Sequence, residues 1–207
     1  MSNLTVLGTH HYVDLELLSE APVVVDAGAC VGQFTRNVLK VRPKAEMHLI
    51  EASPLNYARL LKEEIGHPVR MVNAALVGYD NGPIEFVEYI SGSKGKMKKG
   101  HVVGVKKDDD PRYTIRTIAV QAMAIERFLP CDFIKMDIEG AEYGVLDRMV
   151  TLDKVLLPKQ LTVELHETTP CRLDDAIAVL KGMGYGVKDC GPERSTYRVL
   201  WAGMQNV

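Results

Sequence analysis

Val23 to Leu39, VVVDAGACVGQFTRNVL, reads as a buried strand, a glycine turn and a helix. Val23, Val24 and Val25 form a short β-branched run of the kind that fills a strand covered on both faces. Asp26 ends the run. Gly28 and Gly32 then bracket a turn with no bulky side chain where a ligand must come close. Val31, Phe34 and Val38 follow at helical spacing, and Pro43 stops the helix. The N-terminus of that helix faces whatever lies over the turn and favours a carboxylate or phosphate there. A dinucleotide fingerprint needs G-x-G-x-x-G, and Cys30 stands where its second glycine would be, which argues against NAD or FAD.

The segments that follow extend the βα pattern. AEMHLIEAS, Ala45 to Ser53, is expected as a second strand, and Glu51 near its tip is placed to accept hydrogen bonds from two neighbouring ribose hydroxyls. Ser53-Pro54 reads as an N-cap with proline at the first helical position. Leu55, Ala58, Leu61 and Ile65 give that helix an apolar face, and Gly66 ends it. VRMVNAALV, Val69 to Val77, is expected as a third strand. Asn73 and Ala74 lie near its tip, where the amide either meets an adenine edge or only caps the strand.

Residues 79–122 interrupt the rhythm. Strands are expected over GPIEFVEYI and over Tyr113 to Met123. Between them, residues 91–112 are expected as a lysine- and glycine-rich loop carrying Lys94, Lys96, Lys98, Lys99, Lys106 and Lys107, followed by Asp108, Asp109 and Asp110. Loops of this length are functional or disordered. This one is either a flap for an anionic substrate or a solvated excursion with offsetting acids, and it lacks the interleaved aromatics that single-stranded nucleic acid would favour.

CDFIKMDIEGAEYGVLDRM, Cys131 to Met149, is the most specific run. Phe133, Ile134 and Met136 make a buried strand, and Lys135, Asp137 and Glu139 carry charge toward its C-terminal end, the edge where open α/β sheets hold ligands. Such charges are costly to bury unpaired, so Lys135 is also expected to pair with an acid. A helix follows on Ala141, Val145, Leu146 and Met149. Gln160 to His166 then reads as a strand, Thr169-Pro170 as the opening of a helix on Leu173, Ile177 and Leu180, and Tyr185–Val187 with Thr196–Trp201 as a closing hairpin with Trp201 in the core.

Composition sets outer bounds. The 207 residues suit one domain, with residues 1–20 as an N-terminal arm in which Tyr12, Leu15 and Leu18 could line a short helix. A net charge of -2 gives no general pull toward nucleic acid or an anionic membrane, and no apolar run approaches a membrane span. The N-terminus lacks a basic region followed by an apolar core, so no signal peptide is expected. Cys30, Cys131, Cys171 and Cys190 are scattered without a C-x-x-C, which fits reduced cytoplasmic thiols better than a disulfide framework or a zinc site, and no metal ligands are assigned.

The D-x-G-x-x-x-G turn resembles motif I of the class I S-adenosylmethionine (SAM) methyltransferases. With the other motifs, the chain from about Val23 to His166 resembles the FkbM methyltransferase family: D-A-G-A-x-x-G-x-F at Asp26 to Phe34, I-E-x-S-P at Ile50 to Pro54, N-A-A-L at Asn73 to Leu76, K-M-D-I-E-G-A-E at Lys135 to Glu142, and V-E-L-H at Val163 to His166. The resemblance implies a Rossmann-like α/β fold. Its seven-stranded, mostly parallel sheet would run 3-2-1-4-5-7-6, with the last strand antiparallel and helices on both faces. It implies SAM as cofactor and a hydroxyl acceptor on a sugar, natural product or other small molecule. Cofactor contacts are implied for Asp26, Gly28, Ala29, Gly32, Gln33, Phe34, Glu51, Ala52, Ser53, Asn73, Ala74 and Asp137, with Gly28 and Phe34 at the methionine end and Glu51 at the ribose.

The candidate catalytic residues are His166, Asp137, Glu139 and Lys135. His166 is a candidate base or a structural histidine. Asp137 and Glu139 are alternative bases, or hold the SAM amino group or together a metal ion. Lys135 orients Asp137 or binds an anionic acceptor. Three features depart from the family pattern: Ala124-Ile125-Glu126 stands where T-L-D is common, the lysine-rich insertion is extra, and the arm is short. With so short an arm, a substrate cap is either missing or supplied by a second copy in a homo-oligomer. The alternative function is a SAM-binding scaffold without turnover, against which the intact Asp137 and Glu139 argue.

Overall fold

The computed structural model describes residues 3–8, 10–65, 69–80, 82–91, 96–102, 113–166, 173–191 and 197–205; the side chains of 91, 96–99 and 102 are outside this description. Seven strands form the central sheet: β3 (Val23–Ala27), β4 (Glu46–Glu51), β5 (Val69–Asn73), β11 (Phe133–Met136), β12 (Gln160–His166), β13 (Tyr185–Asp189) and β14 (Tyr197–Met204). Their spatial order is β13-β14-β12-β11-β3-β4-β5, and β14 alone runs against the rest.

Side chains alternate across the sheet, which is why both faces need cover. Val24, Met47, Leu49 and Phe133 point to one side, where they meet Phe34 and Val38 of α1 (Gln33–Val41) and Leu60 of α2 (Pro54–Leu60). Val25, Ile134, Met136, Leu161 and Val163 point to the other, where they meet Val145, Leu146 and Met149 of α3 (Glu142–Val150) and Leu180 of α4 (Leu173–Gly182). Among the described residues no helix is long and apolar enough to cross a membrane.

Three segments differ from the expectations of the sequence. The arm is no helix but an antiparallel hairpin of β1 (Leu4–Leu7) and β2 (His11–Asp14), followed by a single 3-10 turn at Leu15–Leu17. Long-range anchors decide this. Asp14 N–H donates to Gln160 Oε1 at 2.9 Å, Gln160 Nε2 donates to Asp14 O at 2.8 Å, and Tyr12 N–H reaches Thr162 Oγ1. Trp201, buried as expected, donates its indole N–H to the same Gln160 oxygen at 3.0 Å.

The expected third strand breaks in two. Asn73 turns its amide back onto Glu51 O and Ala52 O, so β6 (Ala75–Val77) leaves the central sheet and pairs in parallel with β10 (Ala122–Ala124). The lysine-rich stretch is not all loop either. β8 (Lys96–Val102) pairs with β7 (Ile84–Ser91), which also pairs with β9 (Tyr113–Val120) in a three-stranded antiparallel sheet. Lys94, Lys106, Lys107, Asp108, Asp109 and Asp110, the side chains of Lys96, Lys98 and Lys99, the helix end at Gly66 and the helix opening at Thr169-Pro170 lie outside the described residues.

Candidate functional site

The C-terminal ends of β3, β4, β11 and β12 open on one edge of the sheet, and two adjoining clefts lie there. The turn after β3 makes their common wall. Gly28 has φ +76, and a Cβ there would lie 1.9 Å from the Asp137 carbonyl oxygen, so only glycine lets the loops after β3 and β11 touch. Cys30 and Glu139 are non-glycine residues with positive φ (52 and 56), and both line the larger cleft. Backbone held in this sparsely populated region clusters at functional sites.

Lys135 stabilises the same turn. It is buried, donates to Ala27 O at 3.0 Å and Gly28 O at 2.8 Å, and stands 3.3 Å from Asp26 Oδ1. Burial disfavours its charge, but Asp26 and Asp137 outweigh that and raise its pKa. Two hydrogen bonds to the turn and the ion pair with Asp26 hold the protonated Lys135 in place beside Asp137. Asp26 is held inside as well, accepting from Thr35 Oγ1 at 2.7 Å, and lines neither cleft.

The larger cleft has a volume of about 740 Å³ and is lined by residues that include Glu51, Ala52, Ala74, Phe86, Asp137 and Glu139. Glu51 is 5% exposed; Oε2 accepts the Cys30 N–H at 2.7 Å and Oε1 the Ser53 N–H at 2.9 Å. Burial pushes its carboxyl pKa up, and those two N–H groups and Lys135 restrain the rise. The sheet of β7, β8 and β9 contributes Phe86 and Gly100 as a roof. Ser53 does not reach the cleft. It caps α2 by accepting from Asn56 N–H, and its hydroxyl donates to buried Glu88 at 2.5 Å. Gly32, Asn73 and His166 are also absent from the lining of both clefts.

The smaller cleft, about 440 Å³, brings together Gly28, Ala29, Gln33, Phe34, Lys135 and Asp137 with His10 and His11 of the hairpin. Gly28, Cys30 and Asp137 line both clefts, so the two meet at these residues. Burial raises the Asp137 carboxyl pKa against the pull of Lys135.

His166 lies under this junction. Its Nδ1 faces Glu142 Oε1 at 3.3 Å, and its Nε2 faces Glu139 Oε2 at 3.5 Å and Glu164 Oε1 at 3.4 Å. Burial opposes a charge on the ring, but the Glu142 hydrogen bond and the charges of Glu142, Glu139 and Asp137 prevail, and the pKa is pushed up to about 9. Nδ1 is hydrogen-bonded to Glu142, and Nε2 faces Glu139 and Glu164, so carboxylates surround the ring on both sides. Glu142 also accepts the Ile138 N–H at 3.0 Å, fixing the loop after β11.

Sequence reading missed His10, His11 and Glu164. His10 Nε2 stands 2.5 Å from Glu164 Oε2. His11 is buried, and burial together with Lys135 pushes its pKa down to about 2, so its ring is neutral. The available signals were an adjacent histidine pair in the arm and a second acid in V-E-L-H; only the fold places them together.

A model of the FkbM methyltransferase domain matches residues 26–192. Among solved structures, an FkbM methyltransferase from Methylobacillus flagellatus KT is similar at 14% identity and TM-score 0.54, over 89% of this chain and 44% of that one. This chain thus spans under half of that relative. The fibrillarin pre-rRNA processing protein of Methanococcus jannaschii is similar at 11% identity and TM-score 0.55, over 98% of this chain and 71% of that one. A precorrin-6y C5,15-methyltransferase from Geobacter metallireducens GS-15 is similar at 13% identity and TM-score 0.52, over 91% and 82%. At these identities the likeness to solved structures is one of fold, the Rossmann-like fold of class I methyltransferases. No curated protein sequence matches the chain.

Proposed function

The chain belongs to the FkbM methyltransferase family, and on that premise we propose that it methylates a hydroxyl oxygen of a small molecule, with the cofactor in the larger cleft and the acceptor at the junction with the smaller one. The cofactor is SAM, which when bound supplies a methyl group on a positively charged sulfur.

The observation that carries the reading is Glu51. Its carboxylate is buried at the tip of β4, and each oxygen already accepts one backbone N–H. A carboxylate has about four acceptor sites, so two remain for the adjacent hydroxyls of a ribose, and the residues present fit the group. Ala74, Leu76, Phe86 and Ile138 supply an apolar slot for a base. Gly28, Gln33 and Phe34 run on from Glu51 toward the smaller cleft and would hold the methionine end. Asp137, at the junction of the clefts, places a carboxylate where a positive sulfur and an amino group would lie.

Methyl transfer needs the acceptor oxygen held in line and relieved of its proton. Asp137 and Glu139 are the carboxylates at the cleft wall that can take that proton, and His166 keeps Glu139 in place. The carboxylates of Asp137 and Glu139 in the cleft wall favour a neutral or cationic group at the point of transfer.

Calorimetric titration with SAM, its demethylated product SAH and NADH tests the reading. Binding of SAM and SAH without NADH is expected, followed by transfer of labelled methyl to members of a panel of hydroxylated small molecules. Binding of NADH in preference to both methyl-cycle ligands would overturn it. Binding without transfer to any acceptor would favour a SAM-binding scaffold.

A further inference from the structure

At the wall of the smaller cleft lies a constellation that the cofactor does not explain. His10 and His11 come from the hairpin, Asp137 from the loop after β11, and Glu164 from β12; each offers one donor atom, and all four donors lie within 4.8 Å of one another. Donors around one tetrahedral ion bound at about 2.0–2.2 Å lie about 3.3–3.6 Å apart, so side-chain movements on the order of an ångström close the set. His11 supplies a second, independent observation. Its ring is 5% exposed, it lines the cleft, and among the described residues its Nδ1 has no hydrogen-bond partner. A buried polar atom left unpaired carries a penalty of about 1–3 kcal/mol by general measure, and a bound ion that orders the imidazole removes it.

We propose that His10, His11, Asp137 and Glu164 form a binding site for one divalent transition-metal ion beside the cofactor cleft. Two imidazoles with two carboxylates suit zinc, manganese or iron(II); magnesium and calcium prefer oxygen-only sets. Lys135 is the cation that opposes such an ion, and its charge is matched by Asp26 at 3.3 Å. Asp137, Glu139 and Glu164 leave the surroundings anionic. The hairpin is thereby tied to the catalytic edge: β2 is hydrogen-bonded to Gln160 and Thr162 of the same strand that carries Glu164. The ion's position at the junction suits it to hold an acceptor oxygen and weaken its O–H bond. That role rests on the methyltransferase reading, whereas the binding of the ion does not.

The test uses the full chain, stripped with a chelator and then titrated with zinc chloride and with manganese chloride. Metal content after dialysis is read by mass spectrometry. One ion per chain is expected for the wild type. His11→Ala and Glu164→Gln should each weaken binding at least about 100-fold, beyond the range typical of removing a supporting residue around a metal. Cys190→Ser, two strands from Glu164, should retain the ion, which excludes adventitious capture by that thiol. Circular dichroism verifies that the variants fold. SAH titration of the same samples keeps the two readings apart: stripped wild-type protein should bind SAH as before. Failure to retain zinc or manganese, or retention unchanged in both ligand variants, would overturn the proposal. Loss of SAH affinity in His11→Ala with no ion bound by the wild type would also overturn it, and would give the histidine pair to the cofactor's carboxylate.

Discussion

The carboxylate of Glu51 and the backbone N–H of Cys30 are joined at 2.7 Å, which locks the tip of β4 onto the turn after β3. Cys30 adopts φ 52 there, a conformation a cysteine adopts only when its surroundings hold it. One buried acid thus shapes the turn and also faces the cleft that the turn encloses.

Replacing Glu51 with Ala should weaken SAH binding about 100-fold or more, since hydrogen bonds to a charged acceptor contribute about 1.5–3 kcal/mol each. Glu51→Gln should fall between the variant and wild type, because the amide oxygen still accepts. Calorimetry reads both. Affinity within about twofold of wild type in Glu51→Ala would refute the ribose role.

Two glycines should respond in opposite directions. Gly28→Ala forces a Cβ to 1.9 Å from the Asp137 carbonyl oxygen at φ +76. The expected loss is about 2 kcal/mol or more, a fall of roughly 4–8 °C in melting temperature for a chain of this size. Gly144 lies exposed within α3, and a Cβ there meets nothing within 4 Å. Gly144→Ala should gain about 0.5–1 kcal/mol. Thermal melts of the pair check this. Equal shifts would show that the turn is not tightly packed against the loop after β11.

Acid stability should depend on the ion pair of Glu126 and Arg148, which ties the turn before β11 to α3. Arg148 Nε donates to Glu126 Oε1 at 2.6 Å. Partial burial raises the Glu126 pKa, but the hydrogen bond and charge of Arg148 lower it further, leaving it below the usual carboxylate value. A depressed folded-state pKa contributes stability above the unfolded value, and that stability is lost as pH falls through the folded one. The pair is partly exposed, so solvent and salt screen it and the effect should be small. Urea midpoints at about pH 7 and about pH 3 should differ less in Glu126→Gln than in wild type. An unchanged difference would mean that the pair contributes nothing.

The sequence made the framework legible wherever one local signal sufficed. The valine run, the Gly28 turn and the helix start at Ser53-Pro54 each state their geometry within a few residues. Asp26, Ser53 and Asn73 sit in the right motifs, yet their polar atoms serve Thr35, Glu88 and the carbonyls of Glu51 and Ala52. A motif locates a residue without saying which way its hydrogen bonds turn. The arm was illegible for a different reason: its spacing of Tyr12, Leu15 and Leu18 fits a helix, and only partners some 150 positions away draw it into a strand.

Gln160 is the residue on which that long-range contact turns. It is fully buried; its Oε1 accepts from Asp14 N–H and Trp201 Nε1–H, and its Nε2 donates to Asp14 O. Gln160→Ala leaves three buried groups unpaired, at about 1–3 kcal/mol each before water or movement relieves them. Relief is easiest by releasing β2, which lies on the face of the sheet against β12 and β14, whereas Trp201 belongs to β14 within the sheet. Hydrogen exchange over residues 11–14 should therefore accelerate well beyond any change in β3 or β11. Gln160→Glu separates the contributions of the two ends of the amide: it keeps the acceptor but loses the donor to Asp14 O, so an intermediate acceleration is expected. SAH affinity should fall in step with that acceleration, because His11 lines the smaller cleft together with Gln33 and Phe34. Unchanged protection at residues 11–14 would show that the hairpin is held by its apolar residues Leu7 and Val13 alone, and that Gln160 serves Trp201.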